Sequence, residues 1–454
     1  MKFGKFPACA VAATLIFATS AIAQSSPDDV ESLRQQVKDL QSQLQSVQAQ
    51  LRGDWVSEQR AEEIRQIVQD VLADSDTRSS LLDAGLTAGY DGGAVIASSD
   101  GNYKIKINFQ EQVRFVANFQ DSDASTDASR WGFENRRTKL ILDGNVVDPT
   151  WTYEVQLNAD RASGVVSMED AGWIGKDLGD GWKLRVGQMK APFLREEIMS
   201  SRRLFTIERS LINDEFSAKI VQGLWLNYSA ERWKIFGMYH DGSVNGVNSG
   251  SGGTAWSQED TEYAFSARFE WLAAGNWKQT EDYSGFRGDE TTILIGTAIN
   301  WQKQEYGTGN NLLFPDYNNN EIENFGFTID ASIEGSGWNV NGAFVYRSLD
   351  PASGSSLDQY GFVIRGGYFI TDDIELYASY EWADADIDGV DDLSVITIGG
   401  TKYFAKHNLK WQSDIGFGLN EVNAIWAADG AGWRADGPDA DTQVVIRSQL
   451  QLLF

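Results

Sequence analysis

The sequence has little of what builds a thiol or metal enzyme. Its 454 residues include one cysteine, two histidines and seven prolines. Cys9 lies within the first 23 residues, so the remaining chain can form no disulfide and carry no thiolate chemistry. His240 and His407 stand in no metal-ligand spacing, and neither a Gly-x-Ser-x-Gly elbow nor a phosphate loop occurs. We therefore expect no enzyme activity, no catalytic residue, no metal site and no cofactor.

Long apolar runs and positive charge are also scarce. No stretch after residue 23 has 18 consecutive apolar residues, which argues against a transmembrane helix. Acidic residues number 65 against 38 basic ones, and this balance argues against nucleic acid as a partner because phosphate contacts need a basic surface. Glycine, with 44 residues, and tryptophan, with 16, are plentiful.

Residues 1–23 have the three parts of a secretory signal peptide. Lys2 and Lys5 form the positive start, Ala10–Ala18 is a short apolar run, and residues 21–23 are a small-x-small cleavage site. The alternative interpretation is a buried N-terminal helix. The signal peptide predicts that the chain is exported from the cytoplasm.

Residues 24–75 follow a helical period. Seven apolar residues alternate three and four apart and form three heptads of a coiled-coil seam: Val30, Leu33, Val37, Leu40, Leu44, Val47 and Leu51. The alternative is a helix that packs back on its own chain. Residues 76–101, rich in Ser, Asp and Gly, are predicted to form a linker with one short strand near Ala94–Ala97.

From residue 102 to Phe454 the apolar residues alternate with polar ones. In the last strand Leu452, Leu450 and Ile446 share one face, and the chain stops on an aromatic residue. This alternation recurs about sixteen times, and it is typical of strands with lipid on one face and water on the other. An open sheet edge is not viable in lipid, so such a sheet must close.

The strands are predicted near residues 103–119, 137–147, 151–160, 168–176, 182–190, 220–230, 232–240, 261–272, 290–301, 322–335, 337–348, 358–370, 373–383, 393–404, 408–420 and 442–454. We therefore expect an all-β fold, a 16-stranded antiparallel transmembrane β-barrel over 102–454, preceded by a short N-terminal α-helical coiled coil. A secreted propeller would show a blade repeat of about 40 residues, and the sequence has none.

The predicted connections alternate between short turns and long loops. The third long loop covers 191–219, and the connection 273–289 is long where the alternation calls for a short turn. Tryptophans gather at strand ends, as expected for aromatic girdles at the two membrane interfaces: Trp151, Trp182, Trp233, Trp271, Trp301, Trp338, Trp382 and Trp411.

Two segments carry a family resemblance. Arg185–Phe193 reads R-V-G-Q-M-K-A-P-F and is followed by Glu197, Ser200 and Phe205-x-x-Glu208-Arg209. Before it, Phe133-x-x-Arg136-Arg137 leads to Gly144 and to Asp148–Leu157. The chain resembles the phosphate-selective porin O and P family from about residue 100 to Phe454, most clearly over 130–211.

This resemblance implies a sixteen-stranded barrel in the outer membrane, usually a homotrimer, through which small anions diffuse into the periplasm. The coiled coil would then lie in the periplasm, where a three-stranded coil fits a trimer. Expected partners are outer-membrane lipid, two further copies of the chain, and small inorganic or organic anions in transit. Phosphate-specific members have denser arginines and fewer acids, so the expectation here is a general anion preference.

The third loop is the candidate constriction, because such loops in sixteen-stranded porins commonly fold into the lumen. Its basic residues would attract anions: Lys190, Arg195, Arg202, Arg203 and Arg209. The alternative is that these arginines pair with the nearby acids Glu196, Glu197, Glu208, Asp214 and Glu215 and brace the loop.

Alternation along the strands also places basic residues on the inner wall. Those of the first strands are Lys104, Lys106, Arg114, Arg137, Lys139, Lys183 and Arg185. Over the whole barrel, 14 basic residues face inward against nine acidic ones, and the remaining acids concentrate in the loops. The aromatics predicted to face inward, Trp225, Phe369 and Tyr377, are too few for a sugar track.

The sequence thus predicts a passive, anion-preferring outer-membrane porin. The alternative function is a mainly structural outer-membrane protein, tethered to the cell wall through its coiled coil.

Overall fold

The structure, a computed structural model, describes residues 85–120, 128–159, 164–242, 261–305, 321–436 and 442–454. The predicted signal peptide and coiled coil lie outside the described residues. In these ranges no helix is both long enough and apolar enough to cross a membrane.

The described residues form eighteen strands and two short α-helices. The strands are β1 (Leu86–Tyr90), β2 (Ala94–Ser98), β3 (Lys104–Gln120), β4 (Arg130–Asn145), β5 (Trp151–Ala159), β6 (Val166–Gly179), β7 (Trp182–Lys190), β8 (Ile220–Ser229), β9 (Trp233–His240), β10 (Thr261–Ala274), β11 (Thr292–Glu305), β12 (Glu321–Gly335), β13 (Trp338–Pro351), β14 (Leu357–Phe369), β15 (Ile374–Asp384), β16 (Leu393–Tyr403), β17 (Leu409–Gly418) and β18 (Gln443–Leu453). The α-helices are α1 (Arg195–Ile198) and α2 (Leu211–Phe216), with 3₁₀ turns at Ser201–Arg203, Gln279–Glu281 and Asp429–Ala431.

Strands β3 to β18 close into an antiparallel barrel of sixteen strands. Each strand pairs with its neighbours in sequence, and β18 pairs back onto β3 from Gln443↔Gln120 to Leu453↔Gln110. The closed ring leaves no unpaired edge to face lipid. The predicted all-β barrel and its strand number are confirmed.

A hairpin extends the sheet beyond the barrel. Strand β2 pairs with β1 and with Lys104–Ile107 of β3, on the edge that β18 occupies from Gln110 onward. The rings of Tyr90 and Phe454 lie 6.2 Å apart where the hairpin meets the chain end. Strand β2 is the short strand expected near residues 94–97, and β1 is additional.

Strand β4 begins at Arg130, seven residues before its predicted start. Its pairing with β3 shifts where Gln112 pairs with Arg137 and Val113 with Asn135, so Arg136 is an extra residue in a β-bulge. A bulge interrupts the alternation of the two strand faces, so the predicted strand began only after the bulge, at residue 137.

The outer wall is apolar and carries the predicted tryptophans. Six of them stand near strand ends on the short-turn side of the barrel and expose 38 to 53% of their surface: Trp151, Trp182, Trp233, Trp271, Trp338 and Trp411. Trp301 is 44% exposed at the opposite end. This arrangement fits an aromatic girdle at a membrane interface.

The packed core lies inside the barrel, where three connections fold inward. We name them L3 (191–219), L8 (419–436) and T4 (275–291), the last being the long connection on the short-turn side. Phe216 of L3 stacks on Trp426 of L8, with ring centroids 6.3 Å apart. Phe205 of L3 meets Tyr283 of T4 edge-on at 6.5 Å. These connections fill one side of the lumen.

Candidate functional site

L3 crosses the lumen and is held by hydrogen bonds from distant strands. The Thr401 hydroxyl and the Gln412 amide both donate to the Phe205 carbonyl at 2.9 Å. The Gln451 amide donates to the Arg202 carbonyl at 2.9 Å. Because β16, β17 and β18 all hold the loop backbone, L3 has a fixed position inside the barrel.

Glu208 anchors L3 to β3 and β4, the strands that follow β18 around the closed ring. Its carboxylate accepts from Arg114 at 2.8 Å, Arg136 at 2.7 Å and Arg137 at 2.8 Å. Burial acts to raise the pKa of Glu208, but the three guanidinium groups outweigh it and hold the pKa well below its usual range. The bulge in β4 makes this possible, because it lets two consecutive arginines reach one carboxylate. We name these four residues the Glu208 clamp.

Other acids of L3 also pair with the barrel wall. Glu196 accepts from Arg365 of β14 at 2.5 Å, and Glu215 pairs with Arg347 of β13. The backbone N–H of Leu211 donates to Glu381 of β15 at 2.6 Å. The sequence analysis gave the alternative that the acids of L3 pair with arginines of the same loop. For Glu196, Glu208 and Glu215 that alternative is wrong, because their partners are arginines of the barrel wall.

Three of the five predicted constriction residues brace L3. Lys190 donates to the Glu197 carbonyl at 2.8 Å, and Arg209 donates to the Glu196 carbonyl at 2.9 Å. Arg195 donates to Ser332 of β12 at 2.5 Å and to the Thr280 carbonyl of T4 at 3.0 Å. Their donors are largely used by the protein, so these residues mainly position the loop.

The other two, Arg202 and Arg203, face open space. Arg203 pairs with Glu281 of T4 and keeps 35% of its side chain exposed. Within the described residues the guanidinium of Arg202 makes no hydrogen bond, and its Nε is buried without a partner. Burial, then repulsion from Arg203, lowers the pKa of Arg202. An arginine still carries its charge at neutral pH, so Arg202 offers unused donors to an anion.

Two lumen cavities meet at these arginines. The turn-side cavity, of about 980 Å³, opens toward the short turns, and the loop-side cavity, of about 900 Å³, lies toward L3. Six residues line both cavities: Glu154, Trp173, Arg185, Arg202, Arg203 and Lys278. A solute that passes from one cavity to the other therefore meets four basic side chains and one acid.

The lining of both cavities is basic, although the chain carries a net charge of −27. The turn-side cavity has nine basic residues against five acids: Lys104, Lys106, Lys176, Lys183, Arg185, Arg202, Arg203, Lys278 and Lys406 against Asp91, Asp143, Glu154, Asp177 and Asp282. The loop-side cavity has seven against three: Arg185, Lys190, Arg195, Arg202, Arg203, Lys234 and Lys278 against Glu154, Glu270 and Glu281. Such walls attract anions.

The basic residues predicted for the inner wall divide into two groups. Lys104, Lys106, Lys183 and Arg185 line the turn-side cavity. The others are buried: Arg114 at 0% and Arg137 at 7% exposure under L3, and Lys139 at 4%. The alternation of apolar and polar residues correctly predicted that these basic residues face the lumen. It could not show which of them L3 covers.

The sequence reading missed several lining residues. Trp173, Phe236 and Trp277 join Trp225 along the loop-side cavity, whereas Phe369 and Tyr377 are buried. Alternation along β6 and β9 would have found Trp173 and Phe236. Trp277 and Lys278 belong to T4, and only the unusual length of that connection marks it in the sequence.

Comparison of the sequence with known proteins identifies its family. The sequence model of the family described as phosphate-selective porin O and P matches residues 105–388. An uncharacterized protein of Aquifex aeolicus (strain VF5) is 24% identical over 262 residues, which cover 52% of this chain and 60% of that protein. The match therefore spans less than two thirds of that relative's length.

Solved structures share the fold. The anion-selective porin from Comamonas acidovorans aligns with a TM-score of 0.54 at 12% identity, covering 77% of this chain and 99% of that chain. OmpT of Vibrio cholerae in a trimer form aligns with a TM-score of 0.51 at 14% identity, covering 76% and 99%. The family match extends over more than half of the chain, from β3 through β15. The chain therefore belongs to the phosphate-selective porin O and P family of outer-membrane barrels.

Proposed function

We propose that this porin lets small anions diffuse passively across the outer membrane. The observation that carries the proposal is the basic lining of both lumen cavities in a strongly acidic chain. Arg202 and Arg203 of L3 and Arg185 of the barrel wall all line both cavities, so they lie at the passage between them.

The position of these arginines supports selectivity at a single narrow level. Charged side chains at a constriction decide which ions pass, because a partly dehydrated ion needs donors or acceptors in place of water. Guanidinium groups supply several N–H donors to one oxyanion. The acids of L3 are engaged by the wall, as in the Glu208 clamp, so they oppose this field less than their number suggests.

We further propose that the protein works as a homotrimer. The family resemblance implies this assembly, and the structural neighbour OmpT was solved in a trimer form. In our proposal the coiled coil over residues 24–75 lies in the periplasm and contributes to trimer formation.

Reconstitution in a planar bilayer tests the function. A salt gradient across single channels should give a reversal potential with the sign of anion preference. A strong cation preference would refute the anion selectivity, and the absence of conductance steps would refute the pore itself.

A further inference from the structure

One arginine in the passage is held between two indole rings. The guanidinium of Arg185 lies 4.2 Å from the ring centroid of Trp173 and 4.6 Å from that of Trp225. Trp225 stands directly opposite Arg185 across the β7–β8 ladder, and Trp173 comes from β6 on the other side. We name these three residues the Trp–Arg–Trp stack.

The strand geometry places the stack. Trp173 pairs with Gly187, which has φ +130°. A Cβ atom at Gly187 would lie 2.3 Å from the Gly172 carbonyl oxygen and 2.9 Å from the Trp173 Cα. Only glycine allows β6 and β7 to approach this closely, so the R-V-G-Q segment sets the position of the indole as well as that of Arg185.

The donors of Arg185 are unused within the described part of the chain. Its guanidinium makes no hydrogen bond or ion pair there, although Glu154 lines the same two cavities. The two indoles contact the group from the strands on either side of β7, and its N–H donors remain for an incoming ligand. The edge N–H groups are coplanar and match the two oxygens of a carboxylate.

The surroundings of the stack favour an apolar body beside that carboxylate. The loop-side cavity is also lined by Phe236, Met189 and Leu294, and by Trp277, whose ring lies 3.8 Å from the Lys234 ammonium. A volume of about 900 Å³ is at the upper end of the range, about 300–1,000 Å³, that holds drug-sized ligands. Inorganic anions would use the positive charge alone, whereas an aromatic acid would also bury its ring.

We propose that the Trp–Arg–Trp stack is a subsite for small aromatic carboxylates, which would bind in the passage on their way through the pore. The carboxylate takes the edge of Arg185, and the ring lies against the aromatic wall of the loop-side cavity. This inference rests on the proposed anion channel and names a class of solute for it.

Block of the chloride current by added solutes tests the subsite. The probes are benzoate, acetate, benzyl alcohol and inorganic phosphate, so that ring and charge are separated. In the wild-type channel we expect benzoate to halve the current at a concentration about tenfold below that of acetate or phosphate, and benzyl alcohol to have little effect.

Variants then assign the effect to the stack. Trp173→Ala and Trp225→Leu should each raise the half-blocking concentration of benzoate about tenfold and change that of phosphate by less than about twofold. Arg185→Lys keeps the charge and loses the planar fork, so it should weaken benzoate block by a larger factor than phosphate block. Trp271→Ala, on the outer wall, is the matched control and should change neither.

Two results would overturn the inference. One is equal block by benzoate and acetate in the wild type. The other is an equal loss of benzoate and phosphate block in both tryptophan variants, which would mean that the indoles only hold Arg185 in place. Reversal potentials from the same channels separate the two proposals, since a cation-selective wild type refutes the proposed function, and anion selectivity without benzoate preference refutes the subsite alone.

Discussion

Reversing the charge of Arg202 and Arg203 should remove the selectivity of the pore. Both residues line both cavities. In the double variant Arg202→Glu/Arg203→Glu the turn-side lining changes from nine basic and five acidic residues to seven of each. The loop-side lining changes from seven and three to five of each. The passage thus loses its positive excess, and its two cavities become balanced.

The energy involved is large enough to measure. A unit charge 5 Å from an ion contributes about 0.8 kcal/mol in a water-like dielectric, and reversal changes the energy by about twice that for each residue. About 1.4 kcal/mol corresponds to a tenfold change in an equilibrium constant. Screening over about 10 Å at 0.1 M salt reduces the effect, so we expect the anion-to-cation permeability ratio to fall by about tenfold.

The assay is the reversal potential of single channels under a salt gradient at low ionic strength. A matched control is Arg130→Glu/Arg232→Glu, which changes the net charge equally at two exposed residues that line neither cavity. The control should keep the wild-type potential. An unchanged potential in Arg202→Glu/Arg203→Glu would show that these residues do not lie at the constriction.

Four further predictions concern the loop L3 and the N-terminal segment. Glu208→Gln leaves the buried Arg114 and Arg137 without their full counter-charge, and it should destabilise L3 by about 3–5 kcal/mol, seen as noisier currents and a lower unfolding temperature. Because the folded-state pKa of Glu208 is depressed, the clamp contributes its full stability above the unfolded pKa and loses it as pH falls toward the folded value, so the difference in unfolding temperature between the wild type and Glu208→Gln should stay constant on acidification to about pH 4.5. Replacing residues 195–216 by a short Gly-Ser linker should raise single-channel conductance severalfold, since L3 crosses the lumen; unchanged conductance would refute that position. Deletion of residues 24–75 should preserve channel steps and reduce the trimer fraction in mild detergent, and intact trimers would refute a role of the coil in assembly.

Local signals along the chain sufficed for most of the barrel. Strand β7 has the predicted bounds, 182–190, because a tight turn precedes it and Pro192 follows it. In that turn Asp180 and Gly181 have φ of 51° and 86°, and a Cβ at Gly181 would lie 2.4 Å from the Ser229 carbonyl oxygen. Alternation and turn residues are local, so one sequence is enough to read them.

Contacts across the lumen could not be read in the same way. Spacing suggested that Glu196 and Glu208 pair with arginines a few residues away. In the structure their partners are Arg365 and the arginines of β3 and β4, which closure of the barrel brings to L3. The role of T4 could not be predicted either, because its contacts also form only when the barrel closes. Glu281 of T4 pairs with Arg203, and the Thr280 carbonyl accepts from Arg195. These partners depend on how the ring closes.

Most of the inner arginines are paired with acids within the filled side of the barrel. Asp330 binds Arg268 at 2.7 Å, and Asp414 binds Arg447 at 2.8 Å. Glu196, Glu208 and Glu215 of L3 are held by wall arginines in the same way. Buried pairs such as these add little to the field in the open lumen, because each charge lies beside its opposite.

The positive charge that remains uncompensated lies along the open side. Arg185 and Arg202 make no ion pair in the described residues, and Lys104 has a carboxylate no nearer than 4.0 Å. An excess of 14 basic over nine acidic inward residues, spread evenly, would give a weak field throughout the barrel. Pairing under L3 and L8 concentrates that excess beside the path of the solute. The loop that narrows the pore therefore also determines where its charge acts, which is why selectivity should depend on two arginines of L3 more than on the total charge of the wall.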